Sequence, residues 1–340
     1  MTSRDLVVRT LNRQPVDRVP RNLEVSACIE RFREDELEEM NFCYPSDIQE
    51  PDFNYPRGRR AKGTPGKAGR YTDAWGCIWQ IAKQAAEGHI VGHPLADPAR
   101  IAAYRPPLEL LEKLTPAQIR RASEPTTRFL LAPTQTRLLE RLWALRGPEA
   151  ATADLESGNH PIRELLAALH DFSCQEVTRW AATDVDGVSF QDTFGAPGGP
   201  PIETQLWRDL FKPLYRQYCQ VLHENDKFVF FRSTGDASGV FNDLLEIGVD
   251  AVDCPWSLMD LEDLAQQYRG RITFWAEVEP EVLRDSGSVE NCRGAVRHLR
   301  KNLDDGQGGL IAVCRWDAEM PFENVATVLE EWRQPVPTCF

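Results

Sequence analysis

The sequence predicts a single (β/α)8-barrel domain with an N-terminal extension of helices and loops. Two observations favour this fold. From about residue 126 onward, short β-rich segments alternate with amphipathic helical stretches, and the β-rich segments are near-continuous apolar runs. Such alternation implies parallel strands joined by helices, and unbroken apolar runs are typical of strands that are covered on both faces. A doubly wound open sheet is the alternative with the same alternation.

Residues 1–125 form the predicted extension, in which one helix is clear. Ser3 can cap a helix over residues 3–13, because the apolar residues that follow share one face until Pro15 ends the pattern. Residues 40–75 are rich in proline, glycine and aromatic residues, which indicates loops with short strands. Whether these loops close over an active site as a lid is left open.

Residues 126–340 form the predicted main barrel, with six clear strands and a helix after most of them. The predicted strands cover residues 127–132, 187–191, 227–233, 251–254, 272–277 and 309–314. The predicted helices cover residues 135–146, 161–182, 204–225, 238–247, 258–268, 288–304 and 322–333. Together with weaker strand candidates, this set fits an eight-stranded barrel in one domain.

The composition predicts a cytoplasmic protein that binds neither nucleic acid nor membranes. The net charge is −13, and phosphate-rich partners require clustered Lys and Arg. The chain has no run of 18 apolar residues, and its N-terminus has no apolar signal core. Its nine cysteines, Cys339 among them, contain no CxxC pair, so we expect free thiols.

Candidate site residues follow from the position of active sites in this fold, at the C-terminal ends of the barrel strands. Asp192 and Glu277 are candidate acid/base groups there, and Arg232 is a candidate anchor for an anionic substrate. Further residues at strand ends that we expect to contact the substrate are Gln191, Thr234, Trp256, Glu279 and Arg315.

Several of these residues also have a purely structural interpretation. Asp192 could cap a turn, and Arg232 could pair with a barrel carboxylate. Cys254 and Cys314 could be small buried apolar residues. Glu277 ends an apolar strand, where burial without a partner is costly, so a functional role is favoured.

Two histidines have the spacing of a metal pair. His89 and His93 are four residues apart, which would place both on one face of a helix. Glycine and proline around them disfavour a helix, and we expect a loop instead.

Several segments resemble the uroporphyrinogen decarboxylase-like superfamily. They are SRDLVVRTLNRQPVDRVP at residues 3–20, YTDAWGCIW at 71–79, DGVSFQDTFG at 186–195 and WRDLFKP at 207–213, followed by shorter matches at 243–250, 271–275 and 321–324. These matches run in the family's order over nearly the whole chain. The resemblance implies a (β/α)8 barrel, which agrees with the strand and helix pattern, and often a homodimer.

The superfamily contains two chemistries, and this sequence departs from both. Its decarboxylases hold propionates with the arginines of an early RQAGR loop, whereas residues 20–28 offer only Arg21. Its methyltransferases bind zinc with a His-x-Cys pair and a distant cysteine. The resemblance places Arg232 and Thr234 at the first two zinc ligands and Cys314 at the third. Neither a guanidinium nor a threonine hydroxyl is a usual zinc ligand, so zinc is not expected.

These observations together predict an enzyme with a small polar substrate in the barrel mouth. The resemblance favours methyl transfer, with a corrinoid carried by a separate protein as the partner. One alternative is a metal-free decarboxylase or lyase, in which Arg232 holds an anionic substrate and a carboxylic acid donates a proton. Another is a non-catalytic barrel that binds a ligand or partner, whose rim residues would not converge on one cavity.

Overall fold

Eight parallel strands form a nearly closed barrel. The computed structural model describes residues 1–82, 88–122, 126–194, 202–284 and 287–334. Its strands are β1 (Arg21–Val25), β2 (Ile48–Gln49), β3 (Gly69–Thr72), β4 (Ile78–Ile81), β5 (Gly88–Gly92), β6 (Phe129–Pro133), β7 (Gly187–Asp192), β8 (Phe228–Ser233), β9 (Ala251–Asp253), β10 (Thr273–Glu277) and β11 (Leu310–Trp316). The barrel order is β1, β11, β10, β9, β8, β7, β6, β2. Its two end strands meet where the Asp47 N–H donates to the Arg21 carbonyl at 2.8 Å, and the predicted (β/α)8 fold is confirmed.

Helices cover the outside of this barrel. They are α1 (Ser3–Leu11), α2 (Ala27–Phe32), α3 (Glu34–Cys43), α4 (Pro116–Ala122), α5 (Leu138–Arg146), α6 (Pro148–Glu156), α7 (His160–Ala181), α8 (Thr204–Leu210), α9 (Lys212–His223), α10 (Phe241–Ile247), α11 (Leu261–Tyr268), α12 (Pro280–Leu283), α13 (Val289–Leu303) and α14 (Phe322–Arg333). Among the described residues, none of the helices is both long and apolar enough to cross a bilayer.

The structure departs from the predicted elements at several points, one of which is the unpredicted helix α6. The first two barrel strands, β1 and β2, lie within residues 1–125, which we predicted as an extension ahead of the barrel. The predicted helix over 204–225 is two helices, because Pro213 in the first turn of α9 has no N–H to donate to the turn before it. The cap of α1 is Thr2 rather than Ser3, and it forms a reciprocal capping box with Asp5.

The interior of the barrel is apolar at its N-terminal end. Alternate residues of the strands point inward and form a buried cluster that Val7 and Leu11 of α1 close from below. The inward residues of the strands in this cluster are Ile48, Phe129, Leu131, Phe230, Ala251, Trp275, Ile311 and Val313. Because the side-chain period of a strand is two, the next inward positions toward the C-terminal ends form a second layer above this cluster.

Three aspartates tie neighbouring strands together at the N-terminal end of the barrel. Asp47, Asp186 and Asp250 each directly precede a strand. Their carboxylates accept the backbone N–H of a residue in the neighbouring strand, at 2.9, 2.8 and 2.7 Å respectively. Such side-chain bonds satisfy backbone donors that the ladder leaves unpaired, and they stabilise the register of the barrel.

A small antiparallel sheet lies beside the barrel. It consists of β3, β4 and β5, and the ring of Tyr71 stacks on that of Trp79 with centroids 6.0 Å apart. Trp75, in the loop between β3 and β4, packs edge-on against Phe172 of α7 with ring centroids 4.9 Å apart, and this contact anchors the loop to the helix. This sheet therefore places aromatic side chains near the start of α5.

Candidate active site

Arg232 of β8 lies at the centre of a charged cluster in the barrel mouth. Its Nε donates to Oδ2 of Asp253 at 2.6 Å, and its Nη2 donates to Oε1 of Glu24 at 2.8 Å. Its guanidinium carbon lies 4.2 Å from the ring centroid of Trp275, in the apolar layer below. Two ion pairs and a cation–π contact therefore hold this arginine in place.

Arg315 of β11 joins the remaining members of the cluster. It contacts Glu277 at 2.7 Å through Nη1, Asp253 at 2.7 Å through Nη2 and Glu24 at 3.3 Å through Nε. We call Glu24, Arg232, Asp253, Glu277 and Arg315 the mouth network. Its members come from β1, β8, β9, β10 and β11, each in the second inward layer of the barrel.

The charges of the mouth network do not balance when every group is ionised, since three carboxylates share two guanidinium groups. Burial raises the pKa of Glu277 to about 8, in spite of the ion pair with Arg315. Oδ2 of Asp253 forms ion pairs with both Arg232 and Arg315, whereas Glu277 forms an ion pair with Arg315 alone. We therefore expect Glu277 to hold the proton that neutralises the network.

Glu24 stays ionised by comparison. Burial opposes its ionisation, but the ion pairs with Arg232 and Arg315 outweigh burial and hold the pKa of Glu24 below its usual value. Burial also raises the pKa of Asp253, so the network contains two carboxyls shifted toward the acid form, Glu277 and Asp253, and one, Glu24, that favours the carboxylate. Separation of pKa values between neighbouring carboxyls is a feature of acid/base sites.

Most of the predicted site residues meet at one cavity of about 290 Å³ at the mouth. Arg232, Thr234, Glu277, Glu279 and Arg315 all line it. Gln191 lines a neighbouring cavity of about 610 Å³ inside the barrel, and Arg232 is shared by both cavities. Five of the predicted site residues therefore converge on one cavity, and Asp192 is not among them.

Asp192 is not placed to act as an acid or base. Its carboxylate accepts the N–H groups of Leu139 and Glu140 at 3.0 and 2.9 Å, and the hydroxyl of Tyr215 at 2.6 Å. It therefore caps the N-terminus of α5 from outside that helix. Its side chain points outward from β7, because Gln191 has the inward parity of that strand.

We expect Asp192→Ala to lower the free energy of unfolding by about 2–4 kcal/mol, since it removes a helix cap and leaves the buried hydroxyl of Tyr215 without its acceptor. Urea denaturation measures this loss. The control is Asp260→Ala, which removes the exposed cap of α11 and should cost about 1 kcal/mol. Equal losses in the two variants would contradict the buried capping role of Asp192.

Cys314 and Trp256 also lie away from the mouth cavity. Cys314 is buried and alternates with the inward Val313 and Arg315, so it packs toward the helices. Trp256 is buried against Phe274 and lines a separate cavity of about 500 Å³, which shares Glu277 and Glu279 with the mouth. The structure thus places Cys314 in the layer that faces the helices and Trp256 in a cavity next to the mouth cavity rather than in it.

The sequence suggested that Arg232 could bind a substrate as a free cation. The structure shows that its guanidinium is already in ion pairs. Asp253 and Glu24 already pair with it, so it holds carboxylates in place.

The two histidines with metal-pair spacing do not lie in a helix. His89 lies in β5 rather than in the expected loop, and His93 forms a hydrogen bond with the carbonyl of Ala144 at 2.9 Å through Nδ1.

The side chains at the mouth do not fit zinc. Across the described ranges, no group of three or more His, Cys, Asp or Glu is arranged to hold a metal ion. The positions that the resemblance gives to zinc ligands carry Arg232, which is in ion pairs, and Thr234, whose hydroxyl donates to Glu140 at 2.9 Å. A guanidinium in the pocket also repels a cation.

Metal analysis tests this conclusion directly. We expect the purified protein to contain well below one zinc per chain, and dialysis against EDTA to leave its thermal unfolding temperature unchanged. Stoichiometric zinc, or an unfolding temperature that drops after EDTA and recovers with added zinc, would contradict it.

Two members of the mouth network, Glu24 and Asp253, were missed from the sequence. Glu24 lies on β1, which was not recognised as a barrel strand. Asp253 lies one residue before Cys254, the residue chosen at the end of that strand. Asp253 shares the inward parity of Ala251, which the structure shows but the apolar run of this strand does not.

Comparisons with known proteins support the fold. No family model matches the chain, and no curated protein sequence matches it. Among solved structures, the chain is similar to a methyltransferase from Methanosarcina mazei, with a TM-score of 0.71, 12% identity and coverage of 98% of each chain. A chitinase from Chromobacterium violaceum gives a TM-score of 0.40 at 11% identity, covering 93% of this chain and 99% of its own. Over nearly its whole length, the chain thus has the barrel fold of a known methyltransferase.

Proposed function

We propose that this chain is an enzyme that transfers a methyl group from a small polar substrate bound in the barrel mouth, without zinc and with Glu277 as the general acid. The observation that carries the proposal is the raised pKa of Glu277, about 8, beside a cavity of about 290 Å³. The fold likeness to a methyltransferase favours methyl transfer as the class of reaction.

Protonation is the step that Glu277 would assist. When a methyl group leaves an ether oxygen, the C–O bond breaks and its electron pair stays on oxygen. A carboxylic acid within hydrogen-bond reach of that oxygen can donate the proton that the leaving group needs. Arg315, at 2.7 Å, then stabilises the carboxylate that remains on Glu277.

The methyl acceptor in this proposal is a corrinoid carried by a separate protein that docks over the mouth. A reduced corrinoid supplies a cobalt nucleophile for the methyl group. The barrel's own residues bind the substrate, orient its methyl group outward and supply the proton. This division needs no zinc, because protonation by Glu277 activates the oxygen leaving group.

A methyl-transfer assay tests the proposal. The protein is incubated with cob(I)alamin and a panel of small polar methyl ethers, and the appearance of methylcobalamin is followed by absorbance. We expect protein-dependent methylation with at least one ether, at a rate that EDTA does not change. Methylation no faster than in the protein-free control across the panel would overturn the proposal.

A metal-free decarboxylase or lyase is the second candidate, favoured by the same protonated Glu277 next to Arg315. Loss of carbon dioxide from a bound carboxylate leaves a carbanion that a carboxylic acid can protonate. Release of carbon dioxide from small dicarboxylic acids, without any reaction of cob(I)alamin with the ethers, would favour this candidate over methyl transfer.

A further inference from the structure

A large cavity of about 820 Å³ lies beside the mouth, between α5 and the three-stranded sheet. Its walls carry the aromatic rings of Tyr55, Trp75, Trp79 and Trp143. Thr234 lines both this cavity and the mouth cavity, so the two spaces adjoin. A cavity of this size with largely aromatic walls is typical of a small-molecule site.

Arg141 of α5 lines this cavity, and its side chain forms no hydrogen bond to an acceptor among the described residues. Its guanidinium carbon lies 4.0 Å from the ring centroid of Trp75. Its Nε is buried without a hydrogen-bond partner, and so is the indole Nε1 of Trp75. Within the part of the chain that the structure describes, no carboxylate forms an ion pair with Arg141.

The other charged groups of this cavity do have partners. Arg137, one turn earlier on α5, lies 3.6 Å from the carboxylate of Glu140. Glu140 also accepts the hydroxyl of Thr234, at 2.9 Å. Asp73 accepts the N–H of Cys77 and the indole N–H of Trp79, both at 2.8 Å.

Arg141 is therefore a cation that touches no carboxylate among the residues whose structure is described. Arg141 is half-buried, and its Nε is removed from water without a hydrogen-bond partner. Burial of that part of a cation is costly, and the stack on Trp75 offsets only part of the cost. A ligand that brings a negative charge would offset the rest. The stack also fixes the plane of the guanidinium, which suits a planar two-oxygen acceptor.

We propose that Arg141 binds the carboxylate of a planar, largely apolar ligand that occupies this cavity. The aromatic walls pack against the body of the ligand, and Arg141 fixes its acidic end. As a statement of substrate class, this assignment rests on the proposed function, because the ligand would reach the mouth past Thr234. The binding itself needs neither Glu277 nor a corrinoid.

Isothermal titration calorimetry tests the binding without turnover. The probes are benzoate, phenylacetate and cinnamate, each compared with its neutral amide. We expect at least one carboxylate to bind the wild-type protein at least tenfold more tightly than its amide. Arg141→Gln should weaken that carboxylate at least tenfold and leave the amide unchanged.

The matched control is Arg137→Gln, which removes the same charge from the same helix and the same cavity. Because Arg137 is already paired, we expect the carboxylate to weaken no more than threefold in this variant. The thermal unfolding temperature of Arg141→Gln should equal or exceed that of wild type, since the variant removes an unpaired cation.

Three results would overturn the inference. They are no binding by any of the three carboxylates, equal binding of acid and amide, and equal effects of Arg141→Gln and Arg137→Gln. Any of these can occur while methylcobalamin still forms in the ether assay, so failure here is distinguishable from failure of the proposed function.

Discussion

Glu277→Gln should lower turnover at neutral pH by about 100-fold or more, while the protein stays folded. Glutamine has the shape of the protonated acid and can donate a hydrogen bond, but it has no proton to transfer. In the variant, Arg315 keeps its contacts with Asp253 and Glu24. The rate of methylcobalamin formation with the best ether measures the loss, and circular dichroism confirms the fold.

The matched control is Glu281→Gln. Glu281 lines the same cavity, but its side chain is 71% exposed and its ion-pair contact with Arg284 is 3.5 Å. Its substitution should leave the rate within about threefold, since surface pairs contribute little. Wild-type turnover should also fall as the pH rises past about 8, where Glu277 loses its proton. Full activity in Glu277→Gln would contradict the role as acid.

The same residue makes stability depend on pH with a defined sign. The folded pKa of Glu277, about 8, lies above its ordinary value of 4.5, so between these pH values the folded state holds a proton that the unfolded state lacks. Its contribution to stability is full below about pH 4.5 and is lost as the pH rises to about 8. The slope can reach about 1.4 kcal/mol per pH unit. Urea denaturation across this window should show a flatter profile in Glu277→Gln.

Arg232→Ala should lower the free energy of unfolding by about 3–5 kcal/mol, because it removes a buried cation from two carboxylates. Asp253, which is only 2% exposed, keeps Arg315 alone, and Trp275 loses the cation above its ring. Urea denaturation at neutral pH measures this loss.

Its control is Arg297→Ala, which breaks an ion pair of 2.8 Å with Glu331 on the protein surface. The arginine is solvent-exposed, so we expect no measurable loss of stability. A stable Arg232→Ala variant that has lost activity would contradict the structural role and restore the substrate anchor that the sequence suggested.

The strands of the barrel differ in how well their sequences predict their positions. All six strands after residue 126 begin and end within two residues of the predicted bounds, because each is a near-continuous apolar run. Three of the five residues in the run Arg21-Asn-Leu-Glu-Val25 of β1 are polar, and two of them, Asn22 and Glu24, point inward to the mouth. The strand β2 has two residues, too few for any pattern.

The candidate site was predictable as a location but not as a set of side chains. The ends of the strands identify Arg232, Glu277 and Arg315, yet a strand buried on both faces does not show which of its residues point inward. Asp192 and Cys314 have the outward parity, and Asp253 has the inward one. Because side chains alternate along a strand, a shift of one position moves a side chain from the barrel mouth to the layer that faces the helices.

The aromatic cavity could not be found from sequence at all. Trp75 and Arg141 are 66 positions apart in the sequence and meet only because the three-stranded sheet packs beside α5. Neither residue lies at the end of a barrel strand, which was the rule used to select candidates.

A direct measurement of the pKa of Glu277 tests the central claim without knowledge of the substrate. In protein labelled with ¹³C at glutamate side-chain carboxyls, the signal absent from Glu277→Gln can be followed by NMR over a pH titration. We predict that this carboxyl is protonated at pH 7 and titrates with a pKa of about 8. A carboxyl that titrates near its ordinary value of 4.5 would contradict the account.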